Sequence, residues 1–76
     1  MLSEQQVRGA LKETINSDKV DSWPLDYDFR KGGDLDSLDH VSFILRLAED
    51  HGLKVPDPEI EKLTTIGAVL RFAGEQ

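Results

Sequence analysis

The sequence has no cysteine, one methionine, one tryptophan and one tyrosine in 76 residues. The absence of cysteine excludes disulfide bonds, thiolate metal sites and a nucleophilic protein thiol. Charged residues interrupt every apolar stretch before it is long enough to span a bilayer. The N-terminus has no basic segment followed by an apolar one, so we predict no signal peptide. The expected location is therefore the cytoplasm.

Positive charge is also scarce. Nine Lys and Arg stand against fifteen Asp and Glu, which gives a formal net charge of -6. Residues 21–40 hold six aspartates against only Arg30 and Lys31. Such a field repels nucleic acid and anionic membrane surfaces and attracts basic protein patches. A chain this short buries a modest core, so we expect one domain, residues 1–76, and disfavour an enzyme with an enclosed active site.

Capping and periodicity signals predict two helices in the first two thirds of the chain. Ser3 and Gln6 have capping-box spacing, and apolar residues then recur every four positions, which predicts a helix over about residues 4–16. A second helix should run over about residues 37–50 and end at Gly52.

Two shorter helices are predicted in the last third. The pair Asp57-Pro58 should start a short helix, with the proline at its first position, that runs to about residue 63. Thr64 or Thr65 should cap a last helix that ends two residues before the C-terminus. No segment has the alternation typical of a strand. The predicted fold is all-α, a small four-helix bundle with three main helices, one short helix and a long first loop.

The first loop, residues 17–36, has no helical period and contains Pro24 and a Gly-Gly pair. A loop of this length is unusual in a compact domain, which favours a packed or functional loop. We expect a short helical turn near residues 25–29. The side chains expected to hold the loop against the core are Trp23, Leu25, Tyr27 and Phe29.

The second helix has more apolar surface than one contact requires. On a helical wheel, Phe43, Ile44 and Leu47 form one apolar cluster, and Leu38, Val41, Leu45 and Ala48 form another. One cluster should face the core. The other is either buried under the long loop or left exposed as a partner-binding surface.

Ser37 stands at the start of this helix among carboxylates. Asp36 could serve as the helix cap, which would leave the Ser37 hydroxyl exposed where free amides favour an anion. Asp36 and Asp39 would oppose a phosphate unless a cation screened them, so a singly charged phosphodiester suits the site better than a phosphomonoester. Catalysis by Ser37 needs a base, and of the two histidines only His40 is a helical neighbour. We expect it to be a solvated surface residue.

No metal site is predicted, because the aspartates near Ser37 lack the ligand spacing of a calcium loop.

Several segments with the correct spacing resemble the bacterial acyl carrier proteins, most strongly between residues 29 and 72. They are Asp36-Ser37-Leu38-Asp39 followed by Val41, then Val55-Pro56-Asp57, and Glu61-Lys62-Leu63-Thr64-Thr65-Ile66. The resemblance implies that Ser37 carries 4′-phosphopantetheine, delivered from coenzyme A by a phosphopantetheinyl transferase. The thiol of that arm would then hold an acyl group as a thioester, and the protein would be a carrier and not an enzyme.

The resemblance also assigns roles around the serine. Asp36 and Leu38 belong to the attachment motif, and the second helix is the recognition helix. The residues implied in partner binding are Asp39, Val41, Leu45 and Glu49. The implied partners are the transferase and acyl-transferring or acyl-activating enzymes and synthases with basic docking patches. The carrier itself should be a monomer.

The chain departs from the usual pattern of fatty-acid carriers at several positions. Gly33 lies four residues before the serine and not three, Ser42 and Ala48 replace acidic residues, and Arg46 adds a positive charge. His51 replaces a common aromatic residue. These differences favour a specialised type II carrier of fatty-acid, lipid or polyketide-type biosynthesis. The alternatives are an aminoacyl or peptidyl carrier and, in a different class, a helical interaction module without a prosthetic group.

Overall fold

The computed structural model describes residues 2–76. The helices are α1 (Glu4–Ile15), a 3₁₀ helix (Asp18–Ser22), α2 (Ser37–His51), α3 (Asp57–Ile60) and α4 (Ile66–Gly74). These residues contain no strand, which confirms the all-α prediction of three main helices and one short one. Helix α1 packs against α2 and α4, and α2 also contacts α3. Within the described chain, no helix has both the length and the apolar character that a bilayer crossing requires.

The long helices begin at side-chain caps. Ser3 Oγ accepts from the Gln6 amide at 3.1 Å while the Ser3 amide donates to Gln6 Oε1 at 2.9 Å, so the predicted capping box is confirmed. Asn16, with a left-handed φ of 53°, ends α1 one residue earlier than predicted. Thr65, and not Thr64, caps α4 by accepting from the Ala68 amide at 3.0 Å.

Helix α3 is shorter than predicted and begins differently. It starts at Asp57, so Pro58 occupies its second position and Pro56 is the cap. It ends at Ile60, because the amides of Lys62 and Leu63 bond to carbonyls three residues back and tighten the chain into a turn. That turn directs Leu63 into the core. Helix α2 runs one residue beyond the prediction before Gly52, at a φ of 71°, closes it.

Buried side chains of the three main helices form one core together with buried residues of the connecting segments. It confirms that one apolar cluster of α2, made of Phe43, Ile44 and Leu47, faces inward. Val7 and Leu11 of α1 and Ile66 and Val69 of α4 are fully buried in the same core.

The long first loop is packed, but not in every detail as predicted. Its helical turn lies at Asp18–Ser22 and not near residues 25–29. Trp23 and Phe29 are buried, whereas Leu25 is 44 % exposed and does not hold the loop through its side chain. Instead the Leu25 carbonyl accepts from the Gly67 amide at 2.8 Å, so backbone contacts attach this part of the loop to α4.

A polar network holds the second half of the loop. The Tyr27 hydroxyl donates to the Asp34 carboxylate, and Lys19 Nζ lies 2.6 Å from Asp34 Oδ1. Lys19 and Tyr27 together lower the pKa of Asp34. Gly33, at a φ of 79°, adopts the left-handed conformation that reverses the chain before Asp34. The loop therefore reaches the start of α2 in a defined conformation.

Candidate functional site

Ser37 is the first residue of α2, and its side chain is exposed. Asp36 caps the helix, because its Oδ1 accepts from the Asp39 amide at 2.8 Å. Ser37 Oγ makes no hydrogen bond to any residue in the range 2–76. The prediction that Asp36 caps the helix and leaves the Ser37 hydroxyl exposed is therefore confirmed. A phosphate on this oxygen would lie at the amino end of α2, where free amides and the helix dipole favour an anion.

A cavity of about 380 Å³ opens beside Ser37. Its walls come from the loop, from the first turns of α2 and from the segment that follows α3. Ser37 lines it together with the charged and potentially charged residues Asp28, Arg30, Lys31, His40 and Glu61. An open space of this size next to an exposed hydroxyl fits a flexible chain attached to that oxygen.

His40 is buried, only 1 % exposed, so the expectation of a solvated histidine was wrong. Its Nε2 lies 2.8 Å from the Leu63 carbonyl oxygen, and its Nδ1 lies 3.0 Å from Arg30 Nη1. A carbonyl only accepts and a guanidinium only donates, so these partners require the neutral tautomer protonated at Nε2. The ring also meets Phe29 edge-on, with centroids 5.7 Å apart. His40 thus ties α2 to the loop and to the segment after α3.

The surroundings of His40 lower its pKa. Burial is the main cause, and the positive charge of Arg30 acts in the same direction. The hydrogen bond to the Leu63 carbonyl and the charges of Asp28 and Glu61 oppose them without reversing the shift. Both ring nitrogens are engaged, so His40 is not a base that could take the proton of the Ser37 hydroxyl.

Asp28 holds the loop in place on the other side of the cavity. Its Oδ1 accepts from the amides of Arg30 at 3.0 Å and Lys31 at 2.8 Å, and its Oδ2 accepts from Thr64 Oγ1 at 2.9 Å. Burial alone would raise the pKa of Asp28, but these hydrogen bonds outweigh it and lower the pKa. Neither Asp28 nor His40 was among the predicted site residues. An aspartate four residues before the Gly32-Gly33 pair, in a segment without a helical period, is a turn signal that could have drawn attention to Asp28.

The second apolar cluster of α2 forms an exposed ridge, which we define as Leu38, Val41 and Leu45. These side chains are 79 %, 41 % and 53 % exposed. They repeat at intervals of three and four residues and so share one side of the helix. The alternative that the long loop buries this cluster was wrong. Ala48, the fourth member of the predicted cluster, is half-buried.

Charged residues lie close to the ridge on α2. Asp39 is half-buried in the first turn, and Glu49 is exposed in the last part of the helix. Arg46, which was expected to make this surface less acidic, has Nη1 2.8 Å from Glu13 Oε2 of α1. An acid of α1 therefore compensates its charge.

The arrangement offers a free hydroxyl on the same helix as an exposed apolar ridge, and His40, whose ring nitrogens are both engaged, supplies no base for that hydroxyl. No set of three or more His, Asp or Glu side chains in residues 2–76 is arranged to hold a metal ion. The exposed ridge and the nearby acids lie on the same helix as Ser37.

A family model and the similar known proteins point to the same family. Residues 5–73 match the family described as phosphopantetheine attachment site. The chain is similar to the acyl carrier protein of Lactobacillus acidophilus, with 32 % identity over 93 % of this chain and 92 % of the relative. It is also similar to the acyl carrier protein of Helicobacter pylori, with 32 % identity over 90 % of this chain and 86 % of the relative. The corresponding protein of Arthrobacter sp. is 27 % identical over 95 % of this chain and 93 % of the relative.

Proposed function

Because this chain belongs to the acyl carrier protein family, whose members hold a covalent 4′-phosphopantetheine and are not enzymes, we propose that Ser37 is its attachment residue. The observation that carries the proposal is the unbonded, exposed Ser37 hydroxyl at the start of α2, next to an open cavity. Asp36 and Leu38 complete the attachment motif. Asp36 keeps its carboxylate in the helix cap, and Leu38 presents an apolar side chain next to the attachment oxygen.

The attached group supplies a thiol that holds an acyl group as a thioester, which this chain cannot supply itself because it has no cysteine. The protein's own contribution is to present the attachment oxygen and to bind successive enzymes. The hydrogen bonds of His40 and Asp28 hold the segments around Ser37 together and so fix the start of α2 relative to the loop. An enzyme docked on the ridge therefore meets the arm in a reproducible place.

The partners we propose are a phosphopantetheinyl transferase and acyl-transferring or acyl-activating enzymes and synthases that carry basic patches. They would contact the ridge together with Asp39 and Glu49. A contact of this kind is small and rimmed by charge, which favours fast and transient association. Rapid release suits a monomeric carrier that visits several enzymes in turn.

The pathway we propose is fatty-acid, lipid or polyketide-type biosynthesis, served by a specialised carrier. Ser42 and Ala48 support specialisation, because they leave the recognition helix less acidic than is usual for the family. Arg46 does not add to this argument, since Glu13 compensates its charge. We further propose that residues 1–76 act as one carrier domain in the cytoplasm. The family match over residues 5–73 supports a single domain.

Intact mass spectrometry tests the attachment residue. The protein is incubated with coenzyme A and a broad-specificity phosphopantetheinyl transferase, beside the variants Ser37→Ala and Ser42→Ala. Ser42 is a matched control, since it is an exposed serine on the same helix. We expect one phosphopantetheine adduct on the wild type and on Ser42→Ala, and none on Ser37→Ala. An adduct on Ser37→Ala would contradict the assignment.

A further inference from the structure

Two cations beside Ser37, Arg30 and Lys31, have no carboxylate of residues 2–76 within ion-pair distance. Of the nine Lys and Arg residues, five lie within 4.0 Å of a carboxylate oxygen. Arg30 and Lys31 pair with no carboxylate in residues 2–76, although the chain has an excess of acids. Lys54 and Arg71 are also without such a partner in the described residues, but neither lines the cavity next to Ser37.

The position of Arg30 is set by specific contacts. Its amide bonds to Asp28 Oδ1, and its Nη1 lies 3.0 Å from His40 Nδ1. His40 is three residues after Ser37, on the same side of α2. The guanidinium is therefore held against the face of the helix that carries the attachment oxygen. A guanidinium has five N–H donors, so the bond to His40 leaves others for an oxygen ligand.

Lys31 lines the same cavity from a more exposed position. Its amide donates to Asp28 Oδ1 at 2.8 Å, which fixes the backbone from which its ammonium extends. The cavity also contains two acids, Asp28 and Glu61. The Asp28 carboxylate already accepts three hydrogen bonds, and Glu61 is exposed. The charge of Lys31 helps to lower the pKa of Asp28, but neither acid lies within ion-pair distance of Arg30 or Lys31.

Such cations would offset the nearby acids, which act against the favourable helix amides when an anion is attached at Ser37. Asp36 and Asp39 lie in the same first turn, and their charges disfavour any phosphate on the Ser37 oxygen. We propose that Arg30 and Lys31 form the binding site for the phosphodiester of the arm, and that this contact directs the start of the arm into the cavity. The inference rests on the proposed attachment at Ser37. In this role Arg30 and Lys31 are positioning residues, and the ligand they bind is a singly charged phosphodiester.

Phosphorus NMR of the loaded protein tests the contact without any activity assay. Wild type, Lys31→Gln and the control Lys54→Gln are loaded to completion, as judged by intact mass. The phosphodiester resonance is then recorded at low salt and at about 1 M salt, where the Debye length is about 3 Å. We expect the wild type and Lys54→Gln to show a salt-dependent shift, and Lys31→Gln to lose most of it. Arg30→Gln should behave likewise, but Lys31→Gln decides the test because the Lys31 side chain is exposed, whereas Arg30 also contacts the buried His40.

The outcomes separate the two proposals. Complete loading with the same salt response in Lys31→Gln and wild type would overturn the phosphodiester site and leave Ser37 as the attachment residue. Failure of the wild type to load, with the transferase active on another carrier, would reject both.

Discussion

Replacing His40 with glutamine should remove most of the acid-dependent loss of stability between about pH 7.5 and about pH 5.5. Glutamine keeps one donor and one acceptor for the Leu63 carbonyl and Arg30, but it does not titrate. In the wild type the pKa of His40 is lowered by its burial and by Arg30. The unfolded chain, with an ordinary histidine pKa of 6.5, therefore binds the proton more readily than the folded protein.

The sign and size of the effect follow from this difference. Above the unfolded pKa both states are neutral at His40, and its contribution to stability is fully present. As the pH falls below about 6.5, the unfolded state takes up the proton first, and the free energy of unfolding falls until the folded pKa is reached. For one proton the loss is up to ~1.4 kcal/mol at pH 5.5 relative to pH 7.5. That is a substantial fraction of the ~5–15 kcal/mol that stabilises a typical domain.

The lowered pKa values of Asp28 and Asp34 do not confuse the measurement. The stability that a carboxylate with a lowered pKa contributes is present above its unfolded pKa of 3.8 and is lost only as the pH falls through the folded value. Both aspartates therefore act below the pH range in which His40 acts.

Urea denaturation followed by the fluorescence of Trp23, the one tryptophan, measures the effect. The free energy of unfolding is determined across the range for wild type, His40→Gln and the control His51→Gln. His51 is the other histidine and is exposed at the end of α2. The control His51→Gln should show the same dependence of the free energy of unfolding on pH as the wild type. If the free energy of unfolding changed equally with pH in wild type and His40→Gln, the assignment of this pH dependence to His40 would be refuted.

Two further predictions concern the recognition surface. Asp39→Lys should slow phosphopantetheinylation at low salt roughly threefold to tenfold, because it reverses a charge that attracts basic partners. Initial rates measured by mass spectrometry test this, with a variant of an exposed aspartate outside α2, Asp18→Lys, as the control. An unchanged rate in Asp39→Lys would rule out electrostatic docking at Asp39. Leu45→Gln should raise the KM of the transferase while changing the free energy of unfolding by less than about 0.5 kcal/mol. Leu25→Gln, an exposed leucine outside α2, should alter neither quantity, and an equal KM for both variants would argue against the ridge as the docking surface.

Short-range patterns predicted most of the helical architecture. A capping box, a left-handed glycine and an apolar period are each set by residues within about four positions of one another, so they can be identified from the sequence alone. They located α1 and α2 to within one residue at either end, and they indicated that Asp36 caps α2. They overestimated the length of α3, because the end of this helix depends on Leu63 entering a core that other segments form.

The surroundings of Ser37 depend on contacts between residues far apart in the chain. His40 meets Arg30 ten residues before it and the Leu63 carbonyl 23 residues after it, while Thr64 bonds to Asp28 across 36 residues. Arg46 pairs with Glu13, which lies 33 residues before it in the chain. The sequence was sufficient to identify the serine, its cap and the apolar surplus of α2, since each is a property of one helix. Only the tertiary structure decided which of those apolar residues stay exposed and which cations face the serine. The reason is that burial and ion pairing depend on segments that come together only when the chain folds.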